Sequence, residues 1–262
     1  INGMQCETKE KFLELCEAAA IMGTIQAGYT DIKFLSDITK KILEREALLG
    51  VSITGWMSNP KILFDAEILK EGAKKVLETN KKIAKLLGIN PAARTTCVKP
   101  SGNASVLLKT PSGIHPEHAP MYLRNIQINK DNEVADIMFK LNPHMIEESG
   151  WSANKNDYVI SFPVISKKGS LFKEDVKGTK HLDLVKLVQQ NWVEYGTDID
   201  LCVNKKVRHN VSNTITVTDW DEVEAYVYEN RQFFAGISFI SDSGDKDYYQ
   251  APNTKVETAE VI

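Results

Sequence analysis

The most informative stretch of this 262-residue chain is a short β-type run that leads into a turn of small residues. It reads Arg94-Thr95-Thr96-Cys97-Val98-Lys99-Pro100-Ser101-Gly102-Asn103-Ala104-Ser105. The β-branched residues favour a buried strand over 94–98, and Pro100 ends it. After that strand, small residues allow backbone N–H groups to converge, and a helix that begins there would add its positive end.

The turn therefore predicts a phosphate-binding loop at the carboxyl end of a strand, where α/β proteins place their ligands. The predicted site consists of Pro100, Ser101, Gly102, Asn103, Ala104 and Ser105, with hydroxyl donors from the two serines. An ordinary strand-to-helix turn is the alternative, because Pro-Ser-Gly is common turn chemistry. The sequence contains neither a GxxxxGK[ST] motif nor a GxGxxG motif, so the usual nucleotide-binding signatures are absent.

Helical and strand-like patterns alternate on both sides of this loop. Apolar spacing predicts helices over 8–28, 30–49, 65–87, 132–141, 181–195 and 219–234, and strands over 51–57, 94–98, 121–129, 158–164, 214–217 and 237–240. This alternation predicts an α/β fold with a largely parallel sheet. We expect one domain over residues 1–250 and a polar tail over 251–262.

Composition excludes several classes of protein. Apolar residues make up 42% and charged residues 26%, which is typical of a soluble globular protein and excludes a disordered chain. A net charge of −3 provides no field to hold nucleic acid or an anionic membrane, and neither is an expected partner. No apolar run approaches the roughly 20 residues of a membrane span. The chain begins at Ile1 rather than Met, so we expect a processed chain or a piece of a longer one.

The cysteines and histidines give no sequence signature of a catalytic or metal site. The four cysteines form no CxxC pair, which predicts reduced thiols, buried as small apolar residues, in an intracellular, cytoplasmic protein. His115 and His118 lie in a proline-containing loop, and no further His or Cys nearby completes a coordination sphere. We therefore predict no metal ligands.

Two further runs follow the predicted loop, Ser112-Gly113-Ile114-His115-Pro116 and Ala119-Pro120-Met121-Tyr122-Leu123-Arg124. With the loop, they resemble adenosylcobalamin-dependent (class II) ribonucleotide reductases, in which a Lys-Pro-Ser-Gly-Thr-Val-Ser-type loop holds the substrate phosphates. Residues 18–26, 50–55, 211–217 and 236–239 resemble other landmarks of the family, and the similarity extends to about Gln250. Asn103 replaces the usual Thr of the loop, which changes one hydroxyl contact to the phosphates.

The resemblance implies the C-terminal half of a ten-stranded α/β barrel, with parallel strands alternating with helices. It also implies radical reduction of ribonucleotides to deoxyribonucleotides, with adenosylcobalamin as cofactor and a thioredoxin-type reductant. The family's Asn-x-Cys-x-Glu finger-loop motif and its reducing cysteines have no counterpart in this sequence, so no catalytic residue is assigned.

We therefore expect a ribonucleoside-triphosphate reductase that lacks its catalytic half, as a split-gene product or a fragment. A companion polypeptide would carry the N-terminal half of the barrel. The alternative is a catalytically inactive nucleotide-binding or scaffolding protein that keeps the reductase fold.

Overall fold

A computed structural model describes residues 1–242 and 248–256 of the chain. Its helices are α1 (Lys9–Ala27), α2 (Asp37–Glu46), α3 (Pro60–Leu63), α4 (Ala66–Leu87), α5 (Asn103–Leu107), α6 (Glu133–Leu141), α7 (Gly178–Val188) and α8 (Trp220–Glu229). Its strands are β1 (Met121–Asn129), β2 (Ile146–Glu148), β3 (Asp157–Ile165), β4 (Ser212–Val217), β5 (Gly236–Ser241) and β6 (Asn253–Lys255). The chain divides into two compact units, residues 1–116 with 169–241, and residues 117–168 with 242–262.

Five extended segments of the first unit run parallel and lie side by side. Isolated parallel bridges join Asn2 to Thr54, Val51 to Thr96 and Val98 to Val211, and β4 pairs with β5 over its whole length. Backbone hydrogen bonds link the segments, for example from Gly3 N to Thr54 O at 2.7 Å and from Ser212 N to Val98 O at 2.8 Å. The predicted parallel arrangement of the strands therefore exists in this unit.

Most of these segments are not regular strands, and here the sequence predictions need correction. The predicted strand over 51–57 ends at Thr54, because Gly55 has a φ of +78° and residues 56–58 form a 3-10 turn. Residues 94–98 form single bridges only. The described residues therefore contain small sheets and not a ten-stranded barrel.

The extended segments of the first unit have two chemically different faces. Alternate side chains enter the hydrophobic core with α1, α4 and α7, including Val51, Ile53, Val98, Val211 and Ile215. Several of the intervening side chains are small or polar and contact one another. Lys99 Nζ donates to Ser212 Oγ at 2.5 Å, and the Thr214 and Ser238 hydroxyls lie 2.9 Å apart. One face thus packs on helices, while the other presents hydrogen-bonding groups.

The long helices form where the sequence predicts them, because their ends carry capping residues. Thr8 Oγ1 accepts from Lys11 N at the start of α1, and the Asp65 carboxylate accepts from two amides at the start of α4. Gly88 ends α4 with a φ of +69°, a conformation that favours glycine. In the core, the rings of Phe12 and Trp192 lie 5.9 Å apart.

Three other helices differ from their predicted bounds. The helix predicted over 181–195 is α7, which begins at Gly178 and ends at Val188, followed by a π-helical turn over Gln189–Val193. The helix predicted over 30–49 is only α2, because Ser36 caps it and the chain turns at Ala47 with a φ of +42°. Phe34 lies within the predicted span but before α2, and it is 97% exposed. The helix predicted over 219–234 ends at Glu229, and Asp219 caps its start by accepting from Glu222 N.

The second unit contains an antiparallel sheet in the order β2-β3-β1-β6, which corrects the expectation of a largely parallel sheet. β1 and β3 pair along their whole lengths, from Met121 opposite Ile165 to Asn129 opposite Asp157. β6 lies within the predicted polar tail. It pairs with β1 and forms the edge strand of that sheet. Residues 257–262 of the predicted tail lie outside the described residues.

The chain divides into two compact units, and one domain over residues 1–250 stays a prediction. Among the helices of the described residues, none combines the length and the apolar character needed to cross a membrane.

Candidate phosphate-binding site

The predicted loop follows the extended segment 94–98 in the first unit and leads into α5. Gly102 is exposed and has φ +50° and ψ −126°, which favour glycine at the sharpest point of the turn. A Cβ placed on Gly102 would have no atom within 4 Å, so the space in front of the turn is open. α5 is only five residues long, so its dipole adds little, and the individual N–H groups matter more.

The backbone amides of residues 101–105 are not equivalent. Ala104 N donates to Ser101 O at 3.1 Å and Ser105 N donates to Gly102 O at 3.3 Å, so both are occupied by the helical turn. Ser101 N donates to Ser112 Oγ at 2.8 Å. Within residues 1–242 and 248–256, no acceptor is found for Gly102 N or Asn103 N. These two amides are the donors that the loop can offer to an anion.

The two serine hydroxyls also differ in what they can offer. Ser105 is 5% exposed and its hydroxyl donates to Gly102 O at 2.7 Å, which stabilises the turn and leaves this residue out of contact with a ligand. The half-buried Ser101 hydroxyl lies 2.6 Å from Thr54 Oγ1 and 3.5 Å from Ser112 Oγ. Of the two serines named from the sequence, Ser101 alone is placed to contact a ligand.

Thr54 and the turn at 111–113 hold the loop from behind. Thr54 Oγ1 accepts from Gly113 N at 2.9 Å and lies 3.0 Å from Pro111 O, so one side chain joins the two loops. Gly113 has a φ of +53°, and a Cβ there would lie 3.2 Å from Lys99 O. Glycine therefore allows the turn to approach the start of the loop closely.

Lys99 supplies a positive charge at the base of the loop. Its backbone N donates to Ser52 Oγ at 3.1 Å, and its Nζ donates to the neutral Ser212 hydroxyl. No carboxylate of the described residues forms an ion pair with this ammonium group. Thr54, Ser112 and Lys99 were not predicted as site residues from the sequence, although Lys99 stands beside the predicted residues in the quoted stretch.

The histidines are structural in their contacts. His115 Nδ1 lies 2.8 Å from Ser112 O, and burial lowers the pKa of this side chain. His181 is 2% exposed, and burial lowers its pKa to about 4. In the part of the chain that the structure describes, no three His, Cys, Asp or Glu side chains are placed to hold a metal ion.

The four cysteines are buried and none is disulfide-bonded. Burial raises the pKa of the Cys97 thiol, and more strongly that of Cys16, so these groups are neutral thiols at pH 7. Cys97 is 8% exposed, in the segment just before the loop. Cys16 and Cys97 are therefore not reactive thiolates.

The chain is similar to curated proteins and to solved structures, while no protein-family model matches it. It is 27% identical over 161 residues to a protein of Dictyostelium discoideum called a probable adenosylcobalamin-dependent ribonucleoside-triphosphate reductase, a region that makes up 60% of this chain and 21% of that protein. It is 23% identical over 209 residues to an adenosylcobalamin-dependent ribonucleoside-triphosphate reductase of Euglena gracilis, covering 77% of this chain and 26% of that protein.

The fold matches a solved structure of the same class. A crystal structure of a B-12 dependent (class II) ribonucleotide reductase superposes with a TM-score of 0.77 and 17% identity, over 95% of this chain and 36% of that chain. The chain spans about a quarter of the length of the curated relatives it matches. Its α/β fold is thus that of a class II ribonucleotide reductase segment, and its curated relatives confirm the resemblance that the sequence predicted.

Proposed function

We propose that this chain is part of an adenosylcobalamin-dependent ribonucleotide reductase and that its loop binds the phosphate groups of the ribonucleotide. The observation that carries this proposal is the pair of exposed amides, Gly102 N and Asn103 N, which have no acceptor among the described residues. Adjacent amides without an acceptor at a turn are the donors from which a concave binding site for phosphate oxygens is built.

The groups around these amides favour an anion. The Lys99 ammonium group contacts a neutral hydroxyl and forms no ion pair with a carboxylate of the described residues, so its charge is available to the phosphates. The loop is also held rigidly, since Ser112 accepts from Ser101 N and Thr54 contacts both loops. A preorganised loop binds its ligand without a further cost of ordering.

The loop would then position the ribose for chemistry that other residues perform. The chain's own contribution is to bind and orient the substrate at a fixed distance from the reacting groups. We propose that the five parallel segments form part of the reductase barrel. In the described residues, β5 pairs only with β4 and segment 1–3 pairs only with segment 51–54, so both outer edges are free for strands of a companion polypeptide.

We include adenosylcobalamin as the cofactor because the curated relatives are named for it. When bound, this cofactor supplies the radical. The residues present here do not by themselves fit that role, because the described cysteines are buried and Cys16 and Cys97 have raised thiol pKa values. We therefore assign the radical thiol and the reducing pair to the companion polypeptide. A thioredoxin-type reductant would act on that companion. The cytoplasmic location of the chain stays a prediction.

Substitutions at Asn103 test the binding step. Asn103 is the first residue of α5, a position that tolerates proline, so Asn103→Pro removes one free N–H and preserves the helix. Asn103→Ala is the matched control, because it removes the side chain and keeps the amide. Loss of a hydrogen bond to a charged group predicts about tenfold or greater weakening of ribonucleoside triphosphate binding by the proline variant, measured by calorimetry.

Equal affinities for the triphosphate and the unphosphorylated nucleoside would exclude phosphate binding.

A second assay mixes the chain with a companion polypeptide that carries the finger-loop motif, adenosylcobalamin and a dithiol. Formation of deoxyribonucleotide only when both polypeptides are present supports the reductase. Phosphate binding without reduction supports the inactive nucleotide-binding alternative.

A further inference from the structure

We infer that Thr54 is a positioning residue for phosphate binding, because its hydroxyl can donate to Ser101 Oγ and so hold the Ser101 hydroxyl in place to donate to the bound anion. The inference rests on the proposed function of the loop and adds a specific role for a residue outside it. Thr54 lies 47 residues before Ser101 in the sequence, but its hydroxyl contacts that of Ser101. Its side chain is only 6% exposed, so it contacts the loop from the protein interior.

Three groups surround the Thr54 hydroxyl. Gly113 N donates to Thr54 Oγ1 at 2.9 Å, Ser101 Oγ lies at 2.6 Å, and Pro111 O lies at 3.0 Å. A hydroxyl has one hydrogen and accepts up to two hydrogen bonds. Gly113 N occupies one acceptor position, and the remaining hydrogen can point either to Pro111 O or to Ser101 Oγ.

The short distance between the two hydroxyl oxygens links these choices. Oxygen atoms 2.6 Å apart require a hydrogen between them, since two facing lone pairs at that distance repel each other. If the Thr54 hydrogen points to Pro111 O, the Ser101 hydrogen must point to Thr54, and Ser101 then offers no donor to a ligand.

In the second arrangement, Thr54 donates to Ser101 Oγ and the Ser101 hydrogen is free to point away from Thr54. Ser101 can then donate to a phosphate oxygen beside the exposed amides of Gly102 and Asn103. An anion therefore favours the second arrangement, in which Thr54 gives its hydrogen to Ser101 Oγ instead of Pro111 O. A side chain without a hydroxyl at position 54 removes that donor, so Ser101 Oγ is no longer held in position. Two hydrogen bonds in series to a charged group also strengthen each other.

The test measures binding of inorganic tripolyphosphate to the chain and its variants by calorimetry. Thr54→Val replaces the hydroxyl with a methyl group of similar size, and we expect about tenfold weaker binding. Thr54→Ser restores the hydroxyl and should bind within about twofold of the original chain. Thr95→Val is the matched control, because it removes a buried hydroxyl that donates to Gly196 O at 2.9 Å without contact to the loop.

A double-mutant cycle separates positioning from general damage. Because Thr54 acts through Ser101, the change at Thr54 should weaken binding much less when Ser101→Ala is already present. If Thr54→Val fails to fold, as judged by its thermal transition, Thr54→Ala provides the same test with a smaller side chain.

The outcomes distinguish this inference from the function on which it rests. Absence of tripolyphosphate binding by the unsubstituted chain would reject the phosphate-binding function itself. Normal binding with equal affinities for Thr54→Val and the original chain would overturn the inference alone. Equal weakening by Thr54→Val and Thr54→Ser, or full additivity with Ser101→Ala, would assign the effect to packing and would also overturn it.

Discussion

Acidification from pH 7 to pH 4.5 should destabilise the first unit through His181. Its ring nitrogen Nε2 lies 2.9 Å from Ile114 O and 2.7 Å from the Asn213 side-chain amide, and the side chain is 2% exposed. Burial lowers its pKa from 6.5 to about 4, so the unfolded chain binds more protons than the folded chain between these two pH values. The stability that neutral His181 contributes is therefore fully present above pH 6.5, and it is lost as the pH falls toward 4.

The size of this effect follows from the two pKa values. For a group with a pKa of 6.5 when unfolded and about 4 when folded, the free energy of unfolding falls by about 2.5 kcal/mol between pH 7 and pH 4.5. That is a large share of the roughly 5–15 kcal/mol that stabilise a typical domain. Burial also lowers the pKa of His115 and His209, so their contributions have the same sign.

Urea denaturation at the two pH values, for the original chain and for His181→Gln, isolates the contribution of this residue. Glutamine does not titrate and keeps a donor for Ile114 O, so the variant should lose about 2.5 kcal/mol less on acidification. An NMR titration of the imidazole in the folded chain measures the pKa directly. If the variant and the original chain lose the same stability, or if the ring titrates near 6.5, the reasoning is refuted.

Three further predictions concern the stability of the first unit and its thiols. Glu46→Ala should lower the free energy of unfolding by about 3 kcal/mol, because it leaves the buried Arg94 guanidinium without the carboxylate now 2.9 Å away. Glu78→Ala, at an exposed helical pair, is the control and should cost less than about 0.5 kcal/mol in urea denaturation. Gly55→Ala should reduce the yield of folded chain and lower its melting temperature, since the new Cβ would lie 1.7 Å from Thr110 Oγ1 at a φ of +78°; a normal melting temperature would contradict the turn geometry. A thiol reagent should label all four cysteines in urea and essentially none in the folded chain, and rapid labelling of the folded chain at pH 7 would contradict their burial.

The sequence predicted those parts of the fold that local chemistry determines. The bounds of α1 and α4 follow from Thr8 and Asp65 at their starts and glycine at their ends. β1 and β3 also lie where β-type runs predicted them. Their antiparallel pairing was not predictable, because alternation along one strand does not specify the direction of its neighbour.

The segments around residues 51 and 94 show the opposite case. Their β-branched composition correctly predicted extended backbone, but single bridges form instead of long ladders because Gly55 turns the chain after Thr54. The helix predicted over 30–49 combined helical residues with non-helical residues on both sides. The true ends of α2 are set by the cap at Ser36 and the left-handed conformation of Ala47. Such boundaries depend on contacts distant in sequence, which periodicity does not record.

The candidate site divides in the same way. Residue types and the position after a strand predicted the loop, but they could not show which amides are occupied. Ser101→Pro illustrates the difference, because the loop sequence alone suggests that this change removes a ligand donor. In the structure, Ser101 N donates to Ser112 Oγ, so that substitution would detach the loop from its support. Asn103→Pro is the variant that removes a free donor.

The residues that contact the loop lie on the same extended segments that form the parallel arrangement of the first unit. The geometry of the site therefore depends on the stability of that unit. Thr54 ends the segment that pairs with Asn2, while its hydroxyl contacts Ser101. Lys99 follows the segment that pairs with Val211, and its ammonium group contacts the next residue, Ser212. Side chains alternate along these segments, so one face packs in the core while the other carries the loop's polar contacts. A substitution on the core face should therefore reduce stability before it alters the affinity for phosphate, whereas a substitution on the polar face should do the reverse.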